Sequence, residues 1–165
     1  MFVEVISALI TDKSIIQRMI ELYRHDLSEF EDLDLDEHGY FGYSYLDYYW
    51  VESDRYPFVV RVDGKLAGFA LVNQHTHFLD RQYSVAEFFI LRKYRRRGIG
   101  RQVAIDIFER FPSRWEISKL PTNVTALRFW RDVIKSYLPG KYTETVIEIE
   151  NHQRVIGCFD NSRSI

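Results

Sequence analysis

Arginines surround two glycines between positions 92 and 101. An almost wholly apolar run at residues 83–91 leads into this segment, and a helix is predicted to begin near Gly98. The first amides of a helix have no partner within the helix and lie at the positive end of its dipole. Because glycine lets a ligand approach the backbone closely, this strand, turn and helix predict an anion site suited to phosphate. The cations that would add charge are Arg92, Lys93, Arg95, Arg96, Arg97 and Arg101.

Glu87 is the one ionisable residue in the apolar run 85–91. Burial disfavours the charged form of a carboxyl group and raises its pKa, which suits a proton acceptor that works near neutral pH. Glu87 is therefore a candidate general base. The competing interpretation is that Glu87 pairs with a basic neighbour for structural reasons.

An acidic region precedes these segments, within residues 21–54. Carboxylates and aromatic rings together favour binding of a cation. A solvated, mobile acidic loop is the competing interpretation, because runs of like charge are usually solvated. The residues concerned are Glu29, Glu31, Asp32, Asp34, Asp36, Glu37, Tyr40, Phe41, Tyr43 and Tyr45.

The hydrophobic pattern predicts the elements that must position these residues, in the order β-α-α-β-β-β-α-β-α-β-β. Asp63-Gly64 between two apolar runs is a strong hairpin signal. The predicted strands cover residues 2–7, 57–62, 66–73, 83–91, 115–119, 141–150 and 154–159. The predicted helices follow a cap at residue 11 or 12, cover residues 43–51 and 98–111, and follow a cap at residue 122 or 123. We therefore expect one α+β (mixed α/β) domain over residues 1–165, built around one central sheet.

The segment Arg95-Arg96-Arg97-Gly98-Ile99-Gly100 resembles the Gln/Arg-x-x-Gly-x-Gly/Ala signature of the GNAT acetyltransferases. Asn123-Val-Thr-Ala126-Leu-Arg-Phe129-Trp130 is similar to a second segment of that family, Asn-x-x-Ala-x-x-Phe-Tyr/Trp. The resemblance extends from about Pro57 to the end of the sequence. It implies the GNAT acyl-CoA N-acyltransferase fold, with a mostly antiparallel sheet of about seven strands flanked by helices.

The resemblance also implies acetyl-CoA as co-substrate and a primary amine as acceptor. In the family, the turn cradles the CoA pyrophosphate, and the pantetheine arm fills a gap beside the bulged strand that precedes the turn. A backbone amide of that strand would stabilise the oxyanion. The cofactor-binding residues that the resemblance implies are Phe89, Ile90, Leu91, Arg95, Arg96, Arg97, Gly98, Ile99, Gly100, Arg101, Asn123, Phe129 and Trp130.

The chemistry of acetyl transfer places two demands on protons. An alkylammonium has a pKa near ~10.4, so an acceptor amine must lose a proton, and Glu87 lies on the strand where several family members carry their base. Many members protonate the leaving thiolate with a Tyr at the position of Trp130, whose indole N–H is no practical acid. Tyr137 is a candidate substitute, and protonation by water is the alternative, because a thiol pKa near ~8.5 makes CoA a tolerable leaving group.

Composition and residue spacing also bear on other partners, on metal binding and on cellular location. The net charge is −2, and the basic residues are confined to one turn, which disfavours a nucleic-acid partner. His75 and His77 stand two apart without a further ligand at recognisable spacing, so we expect no metal site. Cys158 is the single cysteine and no long apolar run is found, so we expect a cytoplasmic protein without a membrane partner. A non-catalytic CoA-binding sensor is the second functional hypothesis, and a homodimer is left open because dimers are common in the family.

Overall fold

A computed structural model describes residues 1–162, so the last three residues of the domain predicted for residues 1–165 lie outside the described part. The strands are β1 (Val3–Ser7), β2 (Arg55–Val62), β3 (Lys65–Asn73), β4 (Tyr83–Ile90), β5 (Arg114–Lys119), β6 (Thr143–Ile149) and β7 (His152–Asp160). The helices are α1 (Lys13–Leu27), α2 (Ile99–Arg110) and α3 (Val124–Tyr137). Short 3-10 helices occupy Ile10–Asp12, Leu46–Trp50 and Arg92–Tyr94. The predicted α+β class and the order of the strands are confirmed.

The second predicted helix, at residues 43–51, differs from the prediction. The structure has only the 3-10 helix Leu46–Trp50 there. Three of its five residues are aromatic, and aromatic side chains lose rotamer freedom in an α-helix. Side-chain contacts hold this segment to the rest of the fold: Trp50 Nε1 donates to the carbonyl of Ala8 at 3.0 Å, Asn73 Nδ2 donates to the Tyr49 hydroxyl at 3.2 Å, and Asp47 pairs with Lys13 at 2.6 Å.

One sheet of seven strands has the order β1-β2-β3-β4-β5-β7-β6. Neighbours are antiparallel except β4 and β5, which run parallel. Those two strands pair only at Tyr83↔Trp115 and Ser84↔Glu116. Beyond that point β4 continues to Ile90 without a partner in β5, so a gap opens between the two strands toward their carboxyl ends.

Each face of the sheet buries its own set of apolar side chains. The α2/α3 face packs β-strand residues such as Val72, Val85 and Trp115 against α2 and α3. The α1 face packs Phe69 and Phe89, among others, under α1 and the 3-10 helix Leu46–Trp50. Residues of β4 therefore take part in both cores. The neighbours of a β4 side chain depend on the face of the sheet to which it points.

A β-bulge at Ala86 decides on which face Glu87 lies. Val85 pairs with Val72, whereas Glu87 pairs with Leu71, so Ala86 is an extra residue on β4. Without it, side chains two apart would share a face, and Glu87 would point to the same side as Val85. The bulge moves Glu87 to the α1 face, as bulges next to functional sites commonly re-aim a side chain.

A polar network fills the space between α3 and the strands β5, β6 and β7. Glu144 accepts hydrogen bonds from Arg131 Nη2 at 2.7 Å and from the Tyr142 hydroxyl at 2.6 Å. Lys119 Nζ donates to the Tyr142 hydroxyl at 2.7 Å. A Cβ placed on Gly157 would lie 2.6 Å from Lys119 Nζ, so a glycine is required there for the network to pack.

The edge strand β1 is covered on part of its open side. Arg110, the last residue of α2, donates from Nη2 to the carbonyl of Val5 at 2.6 Å and pairs with Asp106 at 2.8 Å. Among residues 1–162, no helix combines the length and the apolarity that crossing a bilayer requires.

Candidate active site

The phosphate turn, residues 91–98, connects β4 to α2. Gly98 is the N-cap of α2 and has φ 77°, in the left-handed region that glycine adopts without strain. A Cβ built on Gly98 has no heavy atom within 4 Å, so space is available beside the backbone. The helix begins its hydrogen bonding with Gln102 N to Gly98 O at 3.0 Å. The amides of Ile99, Gly100 and Arg101 precede that bond and lie at the helix N-terminus, as an anion site requires.

Gly100 has a different reason to be glycine. A Cβ on Gly100 would lie 3.1 Å from Phe129 Cε2, so the missing side chain lets α2 approach α3 closely. Phe129 in turn packs on Phe88 of β4 at 5.7 Å between ring centroids, and Trp130 meets the same ring edge-on at 5.0 Å. Trp130 is 5% exposed. Phe129 and Trp130 thus anchor α3 on β4, and Gly100 serves this packing in addition to the role of its amide.

The basic cluster divides into two groups of side chains. Arg96 and Arg97 are exposed at the turn. Arg95, although 39% exposed, folds back onto β4: its Nε donates to the carbonyl of Ile90 at 2.6 Å, and its guanidinium lies 5.6 Å from the Phe89 ring centroid. Arg101 donates to the Ser136 hydroxyl on α3 at 3.1 Å. Only part of the charge predicted for an anion therefore faces the open side of the turn.

The backbone groups at the end of β4 point to two sides of the strand. The amide of Leu91 donates to the carbonyl of Ala67, the residue before Gly68 on β3, at 2.8 Å, so it is used within the sheet. The carbonyl of Ile90 accepts from Arg95 on the opposite side. Because successive backbone groups of a strand alternate in direction, the amides of Phe88 and Ile90 face the gap beside β5. Of residues 89–91, Ile90 is the one whose amide can meet a ligand there.

Asn123 is the N-cap of α3. Its Oδ1 accepts from the amide of Ala126 at 3.0 Å, which is the capping geometry that the sequence predicts. The side-chain carbonyl is therefore engaged within the helix. Its contact with the cofactor stays a prediction.

Glu87 lies on the α1 face, between two tyrosines. The Tyr23 hydroxyl donates to Glu87 Oε2 at 2.6 Å. Burial raises the pKa of Glu87 above its usual value, while hydrogen bonds from the Tyr23 and Tyr43 hydroxyls and the charge of Arg24 oppose that rise. The bonded neighbours of Glu87 are thus phenols rather than the basic partner that the structural interpretation requires. A carboxylate whose pKa is raised in this way is a better proton acceptor than an ordinary exposed one.

Tyr23 was not identified as a site residue in the sequence, and Tyr43 was expected to help bind a cation rather than to bond Glu87. Tyr23 is separated from Glu87 by 64 residues, and only the fold brings the two together. Burial, together with the charge of Glu87, raises the pKa of both tyrosines above the ordinary value. Both hydroxyls therefore stay protonated and act as donors. A tyrosine on the apolar stripe of α1 was the one signal that could have pointed to Tyr23.

Tyr137 lies away from this site. Its hydroxyl bonds to Glu109 and accepts from Asn161 Nδ2 at 3.2 Å, and its ring packs against Phe108. Glu109 is nine residues beyond Gly100 on α2, which corresponds to ~13 Å at ~1.5 Å per residue. The structure does not bring Tyr137 together with Glu87 or with the start of α2, and this placement argues against the predicted role as acid.

The acidic segment after α1 is folded back onto the domain. Glu21 accepts from the amides of Phe41 and Gly42 at 2.8 and 2.9 Å, and Asp36 accepts from the amide of Tyr40 at 2.9 Å. Glu31 pairs with Arg154 of β7 at 3.3 Å. Part of the carboxylate charge is therefore used to hold the segment in place. The remaining carboxylates, Glu29, Asp32, Asp34 and Glu37, are exposed.

The two histidines that stand two apart have different neighbours. His77 Nδ1 lies 2.7 Å from the fully buried carboxylate of Glu116, and the amide of His77 donates to the same carboxylate at 2.6 Å. His75 Nε2 lies 3.1 Å from Asp54, and Glu52 is near both. Within residues 1–162, Glu52, Asp54 and His75 have ligand-type atoms within 4.8 Å of one another. Arg55 Nε occupies one Glu52 oxygen at 2.5 Å, and the expected absence of a metal stays a prediction.

A domain with a phosphate-suited helix N-terminus, a gap between two splayed parallel strands and a phenol-bonded carboxylate beside them fits a CoA-dependent acyltransferase. The profile of the acetyltransferase (GNAT) family matches residues 16–133. The chain belongs to the GNAT acetyltransferase family. No curated protein gives a significant sequence match.

Solved structures share the fold at low sequence identity. An acetyltransferase from Thermus thermophilus is 12% identical with a TM-score of 0.67, and 97% of each chain is covered. A GNAT-family acetyltransferase from Bacillus cereus is 16% identical with a TM-score of 0.63, covering 99% of this chain and 100% of that one. PaiA N-acetyltransferase from Thermoplasma acidophilum, solved in complex with coenzyme A, is 12% identical with a TM-score of 0.60, covering 95% and 98%. The predicted GNAT fold is confirmed.

Proposed function

We propose that the protein is an acetyl-CoA-dependent N-acetyltransferase that acetylates a primary amine, with Glu87 as general base. The observation that most strongly supports this proposal is the position of Glu87. It is a half-buried, phenol-bonded carboxylate on the same strand that leads into the phosphate turn, and a bulge places it on the face opposite α2 and α3. Donor and acceptor would thus approach β4 from its two faces.

The donor half of the proposal is supported by backbone groups. The amides of Ile99, Gly100 and Arg101 would hold the pyrophosphate, with added charge from Arg96 and Arg97. The gap between β4 and β5 would receive the pantetheine arm. The amide of Ile90, which faces that gap, would stabilise the oxyanion that forms when the amine attacks the thioester carbonyl. The complex of the PaiA enzyme with coenzyme A agrees with this choice of cofactor.

The acceptor half is supported by side chains. Glu87 would remove a proton from the ammonium form of the acceptor, directly or through one water. Tyr23 and Tyr43 would keep the carboxylate oriented, and their aromatic rings would line the path of a cation. The exposed carboxylates of residues 29–37 would attract a cationic small molecule or peptide amine. A cytoplasmic location belongs to the same proposal as an expectation, and a homodimer stays open.

Neither of the two residues considered as an acid for the leaving thiolate, Trp130 and Tyr137, is placed for that role. Trp130 occupies the family's tyrosine position and is buried in the contact with Phe88. Tyr137 bonds elsewhere. The thiolate would therefore take its proton from water, or from the proton that Glu87 removed. The same observation favours the second candidate function, a non-catalytic domain that binds CoA as a sensor.

Calorimetric titration with acetyl-CoA, with dephospho-CoA and short duplex DNA in parallel, tests the donor half. Saturable binding of acetyl-CoA is expected, and binding of DNA alone would contradict it. Gly98→Asp should weaken acetyl-CoA binding about a thousandfold, because like charges brought together cost several kcal/mol. Gly140→Asp is the matched control, since Gly140 also has φ 77° but lies in the loop before β6. An amine screen with thiol release as readout then separates an enzyme from a sensor.

A further inference from the structure

Helix α1 touches both halves of the proposed site. Tyr23 and Asp26 are three residues apart and are therefore neighbours on the surface of the helix. The Tyr23 hydroxyl donates to Glu87 on the acceptor side at 2.6 Å. The Asp26 carboxylate accepts from Arg92 at 2.7 Å and from Arg95 at 2.5 Å, and both arginines belong to the phosphate turn.

Arg95 is fixed by more than Asp26. Its Nε donates to the carbonyl of Ile90 at 2.6 Å, and its guanidinium lies over the Phe89 ring. Arg95 thus joins the end of β4, the phosphate turn and α1 at one point. A planar guanidinium with several fixed contacts holds the groups that it bonds in a more defined geometry than a flexible ammonium does.

The pairs of Asp26 differ from an ordinary surface ion pair. The Asp26 side chain is 21% exposed, although those of Arg92 and Arg95 are 72% and 39% exposed, and it binds both guanidinium groups from more than 60 residues away in sequence. Burial alone would raise the pKa of Asp26, but the hydrogen bonds from Arg95 and Arg92 hold it below the usual value. The pair Asp106–Arg110, in contrast, is local on α2 and its carboxylate is 40% exposed. Exposed local pairs of that kind contribute little.

We propose that Asp26 is a positioning residue that fixes α1 against the phosphate turn through Arg95 and Arg92, and thereby holds the Tyr23 hydroxyl on Glu87. The inference rests on the proposed role of Glu87 as base. It means that the donor half and the acceptor half are mechanically joined by one carboxylate. The protonation of Glu87 then depends on a residue that touches neither substrate.

The groups that surround Glu87 determine how such a link can be measured. They are Tyr23 and Arg24 from α1, Tyr43 and Glu31 from the segment that follows α1, and Tyr49 from the 3-10 helix Leu46–Trp50. Asp26→Asn leaves all five side chains in the molecule and keeps the size of residue 26. Any change in the titration of Glu87 then reports on how those groups are held.

The experiment is a pH titration of the Glu87 carboxyl carbon by NMR, assigned with Glu87→Gln. Tyr23→Phe should raise the pKa of Glu87 by about one unit, because a hydrogen bond to a charged group contributes ~1.5–3 kcal/mol. Asp26→Asn should shift the pKa in the same direction. The double variant Tyr23→Phe/Asp26→Asn should show no shift beyond that of Tyr23→Phe, because Asp26 acts through Tyr23. Asp106→Asn, the matched control, should leave the titration unchanged.

Two results would overturn the proposal. One is an unchanged pKa of Glu87 in Asp26→Asn with the fold intact by circular dichroism. The other is an additive shift in the double variant, which would mean that Asp26 acts on Glu87 independently of Tyr23. Should Asp26→Asn fail to fold, Arg95→Lys takes its place, since it keeps the charge but loses the fork of contacts. Calorimetry with acetyl-CoA on the wild-type chain reports on the proposed function separately.

Discussion

Two carboxylates on opposite faces of the sheet show how differently this chain treats a partly buried charge. Glu144, under α3, is bonded by Arg131 and Tyr142 and lies near Lys119, and its pKa is lowered to about 2, chiefly by the hydrogen bonds from Arg131. Glu87, under α1, is bonded by phenol hydroxyls, and burial raises its pKa. A carboxylate that cations neutralise stabilises the fold. One that has only neutral donors retains the capacity to accept a proton.

The largest expected effect is on turnover, which should depend on Glu87. Glu87→Gln should lower turnover of an amine acceptor about a hundredfold at neutral pH, the lower range for loss of a general base, while the affinity for acetyl-CoA stays unchanged. The wild-type rate should rise with pH through the raised pKa of Glu87, and this limb should vanish in the variant. Thiol release measured from pH 5 to 9 provides the test. A retained limb would remove Glu87 as the base.

The next largest effect is on the free energy of unfolding, where Glu144 and Glu87 should differ. Glu144→Gln should lower the free energy of unfolding at pH 7 by about 2 kcal/mol, because a depressed pKa reports native-state stabilisation of the charged form. That stabilisation is fully present above the unfolded-state pKa and is lost as the pH falls toward about 2, so the difference from wild type should shrink between pH 4.5 and 2. Urea unfolding at several pH values measures it.

Glu87→Gln should show the opposite sign in the same unfolding series. A carboxyl group whose folded-state pKa is raised favours folding most below its unfolded pKa and loses that contribution as the pH rises through the folded value. The Gln variant should therefore be at least as stable as wild type at pH 7 and relatively less stable in acid. If both variants lost stability equally at pH 7, the distinction between the two carboxylates would be wrong.

The smallest expected effect is a change in the pKa of Glu87 on loss of one phenol hydroxyl, and it sharpens the comparison of the two carboxylates. Tyr43→Phe removes one of the donors to Glu87 and should raise its pKa by less than about one unit, since the Tyr23 hydroxyl remains. The acid limb of the rate profile should move to higher pH by the same amount. Tyr45→Phe is the control, because Tyr45 is exposed and packs beside Tyr43. Equal profiles for both variants would assign no donor role to Tyr43.

Sequence reasoning predicted the local structure where the residues concerned are contiguous. The phosphate turn could be predicted because its parts, a strand end, Gly98 and the first turn of α2, follow one another along the chain. Glu87 was found because it is a lone charge among apolar neighbours. Its face could not be predicted, because the bulge at Ala86 depends on pairing with Leu71 and Val72 of another strand.

Where function depends on distant residues, the predictions were incomplete. Tyr23 meets Glu87 only through the packing of α1 on the sheet. Gly100 was assigned to the cofactor, although Phe129 of another helix explains why it has no side chain. Tyr137 was chosen because it lies near Trp130 in sequence, yet seven further residues along α3 carry it to the far end of the helix. Closeness in sequence does not imply closeness to the site when two residues are separated by two turns of a helix.

The contact of Arg110 with the carbonyl of Val5 has a consequence for self-association. An open edge strand can recruit a strand of another molecule, and proteins guard such edges with charged side chains. On β1 this matters because Phe2 and Ile6 are exposed beside the edge. Arg110 occupies a carbonyl that an incoming strand would need, and it does so from the last residue of the helix whose first residue follows the phosphate turn. Arg110 thus blocks part of the edge at which a second molecule could add a strand.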